Sequence, residues 1–235
     1  MSSTHMPKLT ATLLRSYSEA ALCNADELLV EASLLYEHGH NARAYFLAVS
    51  CIEEAGKALL AFDAQNRNLS DPAVCTRLKA DMESHGRKIN YALGSWALSS
   101  PDQRAALKMA LDLIFHLKNG REPSMYCDLR KDPDRVQTPQ RVVRVKTARD
   151  CVSLARKTLI HSRRYLSENP PPMFTISQDR LFTMKFRKFQ EMLQIEDFWW
   201  YYISRIEAGE QDIAEAVLGY QRDHIKTGMP FRTRQ

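Results

Sequence analysis

Glu53, Glu54 and Lys57 stand close together in "RAYFLAVSCIEEAGKALLAF", Arg43 to Phe62. Two carboxylates and an ammonium can pass a proton or neutralise a phosphate. Their setting is strongly apolar. At about 100° per residue, Glu53, Lys57, Ser50, Arg43 and Glu54 fall, in that order, within an arc of about 100°. Only Phe46 and Ala61 share it. Tyr45, Leu47, Val49, Cys51, Ile52, Ala55, Leu59 and Leu60 surround the rest of the wheel. The segment therefore reads as a central helix with one narrow polar stripe, and Gly56 and the alanines let neighbours come close. Two readings of the stripe stay open. It is a solvent edge with a Glu53–Lys57 pair at i,i+4 worth about 0.3–0.5 kcal/mol. Or it faces other helices and lines a polar cleft, where burial and neighbouring charges shift its titration.

The elements that must position these groups are helical almost throughout. Leu9–Tyr36 has apolar residues at helical spacing and ends at "EHGH" with Gly39; Asn41 is a candidate cap for the next helix. Another helix follows Asp71-Pro72, and one more runs through "SHGRKINYALGSWAL". "SSPDQRAALKMALDLIFHLKNG" has a cap, a Pro at the first turn and a closing Gly. "REPSMYCDLRKDPDRVQTPQ" is an irregular connector with three prolines. Helix resumes from about Val142 to Leu166. "NPPP", Asn169 to Pro172, is the clearest boundary in the chain. The expected organisation is a helical bundle over residues 7–168, a Pro-rich linker over 169–174 and a C-terminal extension of two helices over 175–235. "MSSTHM" is left out of this reading.

The 235 residues carry a formal charge of +5, and 44% of them are hydrophobic, an ordinary globular composition. Eight glycines and few β-branched clusters count against an all-β fold. The charge is concentrated: Leu117–Glu168 holds thirteen Lys and Arg against six carboxylates, about +7. Such a run solvates a helix face or docks a polyanion. Five scattered cysteines with no C-x-x-C pair fit a reducing cytoplasm, and no apolar run is long enough for a bilayer. Glu37, His38 and His40 lack further ligands for zinc, no Glu-x-x-His motif recurs on paired helices as a di-metal site needs, and no P-loop, dinucleotide fingerprint or G-x-S-x-G is present. No metal and no cofactor is expected. The run "FWWYY", Phe198 to Tyr202, reads as core or interface anchors, with base stacking as the other use.

"AYFLAVSCIEEAGKALLAF" resembles the A-x-x-L-A-x-x-x-x-E-E-x-G-K signature of the abortive-infection V (AbiV) family, within the HEPN-like helical domains. His85 and Lys88 in "SHGRKI" resemble its D-H-x-x-K element, with Ser84 at the acidic position. "LKNGREPSMYCD" resembles its K-x-x-R-E-x-x-x-Y-x-D element and supplies Arg121, Glu122, Tyr126 and Asp128. The similarity covers roughly Leu9 to Leu166. It implies an all-α, HEPN-like bundle, to which this chain adds its C-terminal helical extension. It further implies phage defence, with translation shut down and RNA cleaved without a metal. HEPN chemistry often uses R-x4-6-H, and "RKTLIH" supplies Arg156 and His161. A His can move the proton of a ribose 2′-OH and an Arg can hold the phosphate. On the wheel, however, His161 projects away from the apolar seam of Val152, Ala155, Leu159, Ser162 and Leu166, and is expected exposed in a monomer or placed in a second interface.

The expected catalytic set is Glu53, Glu54, Lys57, His85 and Lys88, with Arg156 and His161 as a further pair. His85 acts as acid or base, its tautomer held by a Glu, and Arg43, Arg121 and Tyr126 bind substrate. The expected partners are RNA, a second copy of the chain, and a phage or translation-machinery component, with no membrane. The competing reading is a non-catalytic helical module whose charges form a buried network that fixes the bundle.

Overall fold

The structure, a computed structural model, describes residues 8–120, 122–130 and 135–231. Helix α1 spans Ala11–Glu37, α2 Asn41–Asp63, α3 Pro72–Glu83, α4 His85–Leu98 and α5 Gln103–Gly120. A two-stranded antiparallel ribbon, β1 (Asp128–Arg130) and β2 (Arg135–Gln137), follows with Leu129 opposite Val136. The chain then forms α6 (Pro139–Val142), α7 (Val145–Glu168), α8 (Ile176–Thr183), α9 (Phe186–Leu193), α10 (Glu196–Glu207) and α11 (Ile213–Tyr220). The all-α expectation holds, with this ribbon as the addition inside the Pro-rich connector.

Backbone contacts divide the chain into two compact units. One runs to Gln65 and resumes over Leu78–Pro172; the other comprises Asn66–Arg77 and the residues from Met173. Periodicity alone leaves Asn66–Arg77 inside the bundle. The segment joins the second unit through specific polar contacts. Arg67 Nη1 donates to Asp179 Oδ1 at 2.7 Å, and the Asn68 amide donates to Asp179 Oδ2 at 2.8 Å. The Arg67 guanidinium also lies 3.7 Å from the centre of the Phe174 ring and 4.0 Å from that of Phe182.

The first unit is built on α2. Its Ala44, Ala48, Val49, Ile52, Ala55, Ala58 and Leu59 are fully buried, and α1, α4 and α7 all pack on it. Helices α1 and α2 fold back on one another through a three-residue turn. Gly39, at φ +79°, closes α1: its N–H donates to Tyr36 O and that of His40 to Leu35 O, the paired bonds that satisfy the last carbonyls of a helix. Helix α2 starts at Asn41 itself, and Asn41 donates to Gly39 O instead of capping. Ser18 Oγ donates to Ala58 O at 2.8 Å within the interface, where Ala21, Ala25 and Ala32 keep α1 close. Asp102, not Pro101, begins α5: its side chain accepts from the Ala105 amide at 2.9 Å.

The closest approach in the unit is at Gly56. A Cβ there would stand 2.2 Å from the Lys88 carbonyl oxygen and 2.8 Å from its carbon. Helix α4 therefore rests its backbone against α2, which only glycine allows at that point.

In the second unit, Phe198, Tyr201, Met192, Val217 and Tyr220 form a separate core. Phe198 stacks parallel to Tyr202 and meets Tyr220 edge-on. Four helices stand here where two are expected. The junctions at Met184–Lys185 and Ile195 carry no Gly or Pro, and each simply turns extended, so composition does not mark them. Among the described residues, no helix is long and apolar enough to cross a membrane.

Replacing Gly56 by Ala should force α4 outward and cost about 1–3 kcal/mol, or roughly 2–12 °C in melting temperature. Gly94, in the interior of α4, has nothing within 4 Å of its added methyl. Gly94→Ala should instead gain roughly 0.5–1 kcal/mol. Thermal melts of the two variants should move in opposite directions.

Candidate functional site

Helix α4 opens beside α2, and this brings the His/Lys element to the carboxylates. Ser84 caps α4 by accepting from the Arg87 amide at 3.4 Å. At the first position of α4, His85 Nδ1 lies 2.6 Å from Glu53 Oε2, and one turn on Lys88 Nζ lies 3.2 Å from the same oxygen. An ionised carboxylate only accepts, so Nδ1 carries the ring proton and Nε2 is left as the basic nitrogen. The side chains of Glu53 and Lys88 are 4% and 5% exposed; that of His85 is 57% exposed. The group oriented from below is thus the one that meets solvent.

Glu54 and Lys57 pair with each other, at i,i+3. The Glu53–Lys57 pair expected on the wheel does not form, because Glu53 is turned into the α2–α4 interface by its two donors. Within the stripe, Glu53 faces α4, whereas Arg43 stays exposed and Glu54 and Lys57 are half-buried. Beside it, Arg87 pairs with the buried Asp81 at the end of α3.

Other expected members lie elsewhere. Arg43 stands ten residues before Glu53 on the same helix, about 15 Å along the axis, and contacts Met125 Sδ. Both line a cleft of about 280 Å³ with His40, Cys127 and Pro139. Tyr126 is exposed on the turn after α5, where the Met125 and Tyr126 amides both donate to Glu122 O. Arg121 lies outside the described residues.

Arg156 and His161 reach different neighbours. Arg156 Nη2 donates to Ser33 Oγ on α1 at 3.4 Å, whereas His161 Nε2 lies 2.8 Å from Ser95 Oγ on α4. His161 is half-buried, at a second interface of α7 rather than exposed, because α4 packs there and brings Ser95 to the imidazole. It adjoins a second polar cluster that the stripe on α2 does not reveal. Tyr165 Oη donates to Asp63 Oδ1 at 3.2 Å, Tyr91 Oη donates to the same carboxyl group, and the rings of His161 and Tyr165 lie 6.2 Å apart. Burial, then the nearby Arg164, lowers the His161 pKa from its usual value; burial, then Asp63, raises that of Tyr165. The i,i+4 spacing of His161 and Tyr165 was the available signal for this cluster. Among the described residues, no three His, Cys, Asp or Glu side chains gather where a metal could sit.

The model of the HEPN family described as AbiV matches residues 13–160. The chain belongs to the AbiV family. The match takes in Glu53, Glu54, Lys57, His85, Lys88 and Arg156; His161 falls one residue beyond it. The part of the AbiV protein from Met173 onward lies outside the match as well. No curated protein and no solved structure matches the chain.

Burial separates the two ion pairs by what their removal should do. Glu53→Gln or Lys88→Ala leaves a buried charge without its counter-ion and should cost about 3–5 kcal/mol. Glu54→Gln or Lys57→Ala touches a pair that is 15% and 21% exposed and should cost at most about 1 kcal/mol. Denaturant melts of the four variants should sort into these two groups.

His161 gives a pH signature. Its folded pKa lies below the unfolded value of 6.5, so the unfolded chain binds the proton first as pH falls. Stability contributed by neutral His161 is present above pH 6.5 and is lost on acidification below it. His161→Gln removes that loss. The melting temperature of the variant relative to the unmutated protein should therefore rise between about pH 7.5 and pH 5.

Proposed function

We propose that this AbiV-family protein is an abortive-infection effector that acts in the cytoplasm by cleaving RNA and so blocking translation. The observation that carries the reading is His85: exposed, held at Nδ1 by a buried carboxylate, with Nε2 left as a base. In the proposed reaction Nε2 takes the proton of a ribose 2′-OH, and the 2′-oxygen attacks the adjacent phosphorus. The 5′-oxygen leaves and takes its proton from water, giving a 2′,3′-cyclic phosphate and a 5′-hydroxyl. This chemistry needs no added metal, because the nucleophile belongs to the substrate and the base to the protein. Lys57, one turn along α2 from Glu53, neutralises charge that develops on the phosphate, and Glu54 fixes the ammonium. Glu53 and Lys88 act through His85 as positioning residues, since both are buried. Arg43 and Tyr126 extend the substrate surface, and Arg121 belongs to the same proposal.

A second reading is favoured by the burial of Glu53 with Lys88. A buried pair of this kind fixes a bundle without doing chemistry. On that reading the protein is a binding module that docks a partner through its basic segment. Several of those charges are already paired within the chain: Arg163 with Asp26, Arg164 with Glu168, Arg149 with Asp150. That leaves fewer of them for a docked partner of this segment. Both readings place the protein as a homodimer, for which the partly exposed Trp199, Trp200, Ile203 and Ile206 on α10 offer apolar surface.

The test is cleavage of total and defined RNAs in EDTA by a sample whose light-scattering mass is twice the chain's 27.0 kDa. Cyclic-phosphate ends are expected. His85→Ala should lower the rate by about 10²–10⁴ while the chain stays folded, Lys88 still pairing with Glu53, and Lys57→Ala and Glu54→Gln should lower it too. His161→Ala should cut as the unmutated protein does. No cleavage by the unmutated protein, or full cleavage by His85→Ala, would reject this site as a catalytic one.

A further inference from the structure

The second unit contains a cavity of about 440 Å³ with a lining unlike the rest of its surface. Arg180 comes from α8, Arg205 from α10, and Arg222 and Lys226 from the turn that follows α11. Glu215, near the start of α11, is the one carboxylate in the lining. Cations that recur along one helix commonly solvate a face. Here they converge from separate segments around one concavity, where their mutual repulsion is unfavourable unless an anion offsets it.

Two of the four are partly neutralised. Arg205 pairs with Glu210, and Arg222 with Asp223. Arg180 and Lys226 have no ion-pair partner among the described residues. Arg205 is held on the wall of this concavity by its own neighbours. Its guanidinium lies 5.9 Å from the centre of the Tyr201 ring, and its Nε is buried with no hydrogen-bond acceptor among the described residues.

We infer that this cavity is a binding site for a small polyphosphate, of the kind carried by a nucleoside di- or triphosphate. The volume falls within the range of about 300–1,000 Å³ that accommodates such ligands. Guanidinium forks match phosphate oxygens bidentately, and Lys226 adds a mobile point charge. Arg180 and Lys226, without an ion-pair partner among the described residues, offer donors to more than one phosphate group. Glu215 opposes binding through its charge, so the site selects ligands carrying several negative charges over those carrying one. The site lies beyond the residues matched by the AbiV family and does not rest on the RNA-cleavage reading.

Calorimetric titration of the full chain with inorganic pyrophosphate, ATP and adenosine tests the inference. Pyrophosphate and ATP should bind and adenosine should not. The Arg180→Ala/Lys226→Ala double variant, changed only at exposed positions, should bind at least about tenfold more weakly with an unchanged melting temperature. Glu215→Gln should bind more tightly than the unmutated protein. Arg164→Ala removes a cation from the first unit and should leave affinity unchanged. Absence of binding by both phosphates, equal binding of adenosine, full affinity in the double variant, or an equal loss in Arg164→Ala would each overturn it.

Discussion

Helix α4 touches α2 backbone to side where Gly56 meets the Lys88 carbonyl, and most of the first unit's polar chemistry follows from that contact. Glu53 is buried, and a buried carboxylate needs donors within hydrogen-bond reach. His85 and Lys88 supply them only because α4 stands close enough for short reaches. Moving α4 out by the width of a methyl group would separate His85 from Glu53 and leave the carboxylate desolvated with fewer partners. Close packing and the orientation of the imidazole are thus one property. The glycine in E-E-x-G-K is as much part of the site as the residues with titratable groups.

The same helix serves two carboxylates. His85 and Lys88 meet Glu53, Tyr91 meets Asp63, and Ser95 meets His161. The spacing of three, three and four along α4 is that of a single face. That face turns toward α2 at its start and toward α7 at its end. The two clusters differ in what they offer a ligand. Around Glu53 an exposed imidazole stands above buried charges. Around Asp63 tyrosine hydroxyls occupy the carboxylate and burial lowers the pKa of the nearby imidazole, an arrangement suited to joining helices.

The central place of α2 and its association with His85 and Lys88 were legible in the sequence, because apolar periodicity and ordered motifs both pointed to them. The end of α1 was legible for a similar reason: Gly39 is where the chain needs a positive φ. What was hidden depends on side chains meeting across helices. The i,i+4 geometry of Glu53 and Lys57 permits a pair, yet a carboxylate takes the partner that also buries it. Asp63 sits off the polar stripe, so its tyrosine partners carried no signal on the wheel of α2. The breaks between α8, α9 and α10 lack Gly and Pro and were invisible to composition. The membership of Asn66–Arg77 in the second unit rests on one arginine finding two rings and a carboxylate more than a hundred residues away.

That last attachment bears on the order in which the protein can assemble. Arg67 leaves the ribosome long before Asp179, Phe174 and Phe182 exist to receive it. Closing a loop of that length carries an entropic cost that local helix formation does not, and contacts so far apart in sequence form late. The second unit therefore cannot be finished from the C-terminal residues alone. A fragment beginning at Met173 would present Asp179 without its guanidinium and two phenylalanines without the cation they enclose. The boundary marked by "NPPP" is a place where the chain turns, and it is not a place where the protein can be cut into two self-sufficient parts.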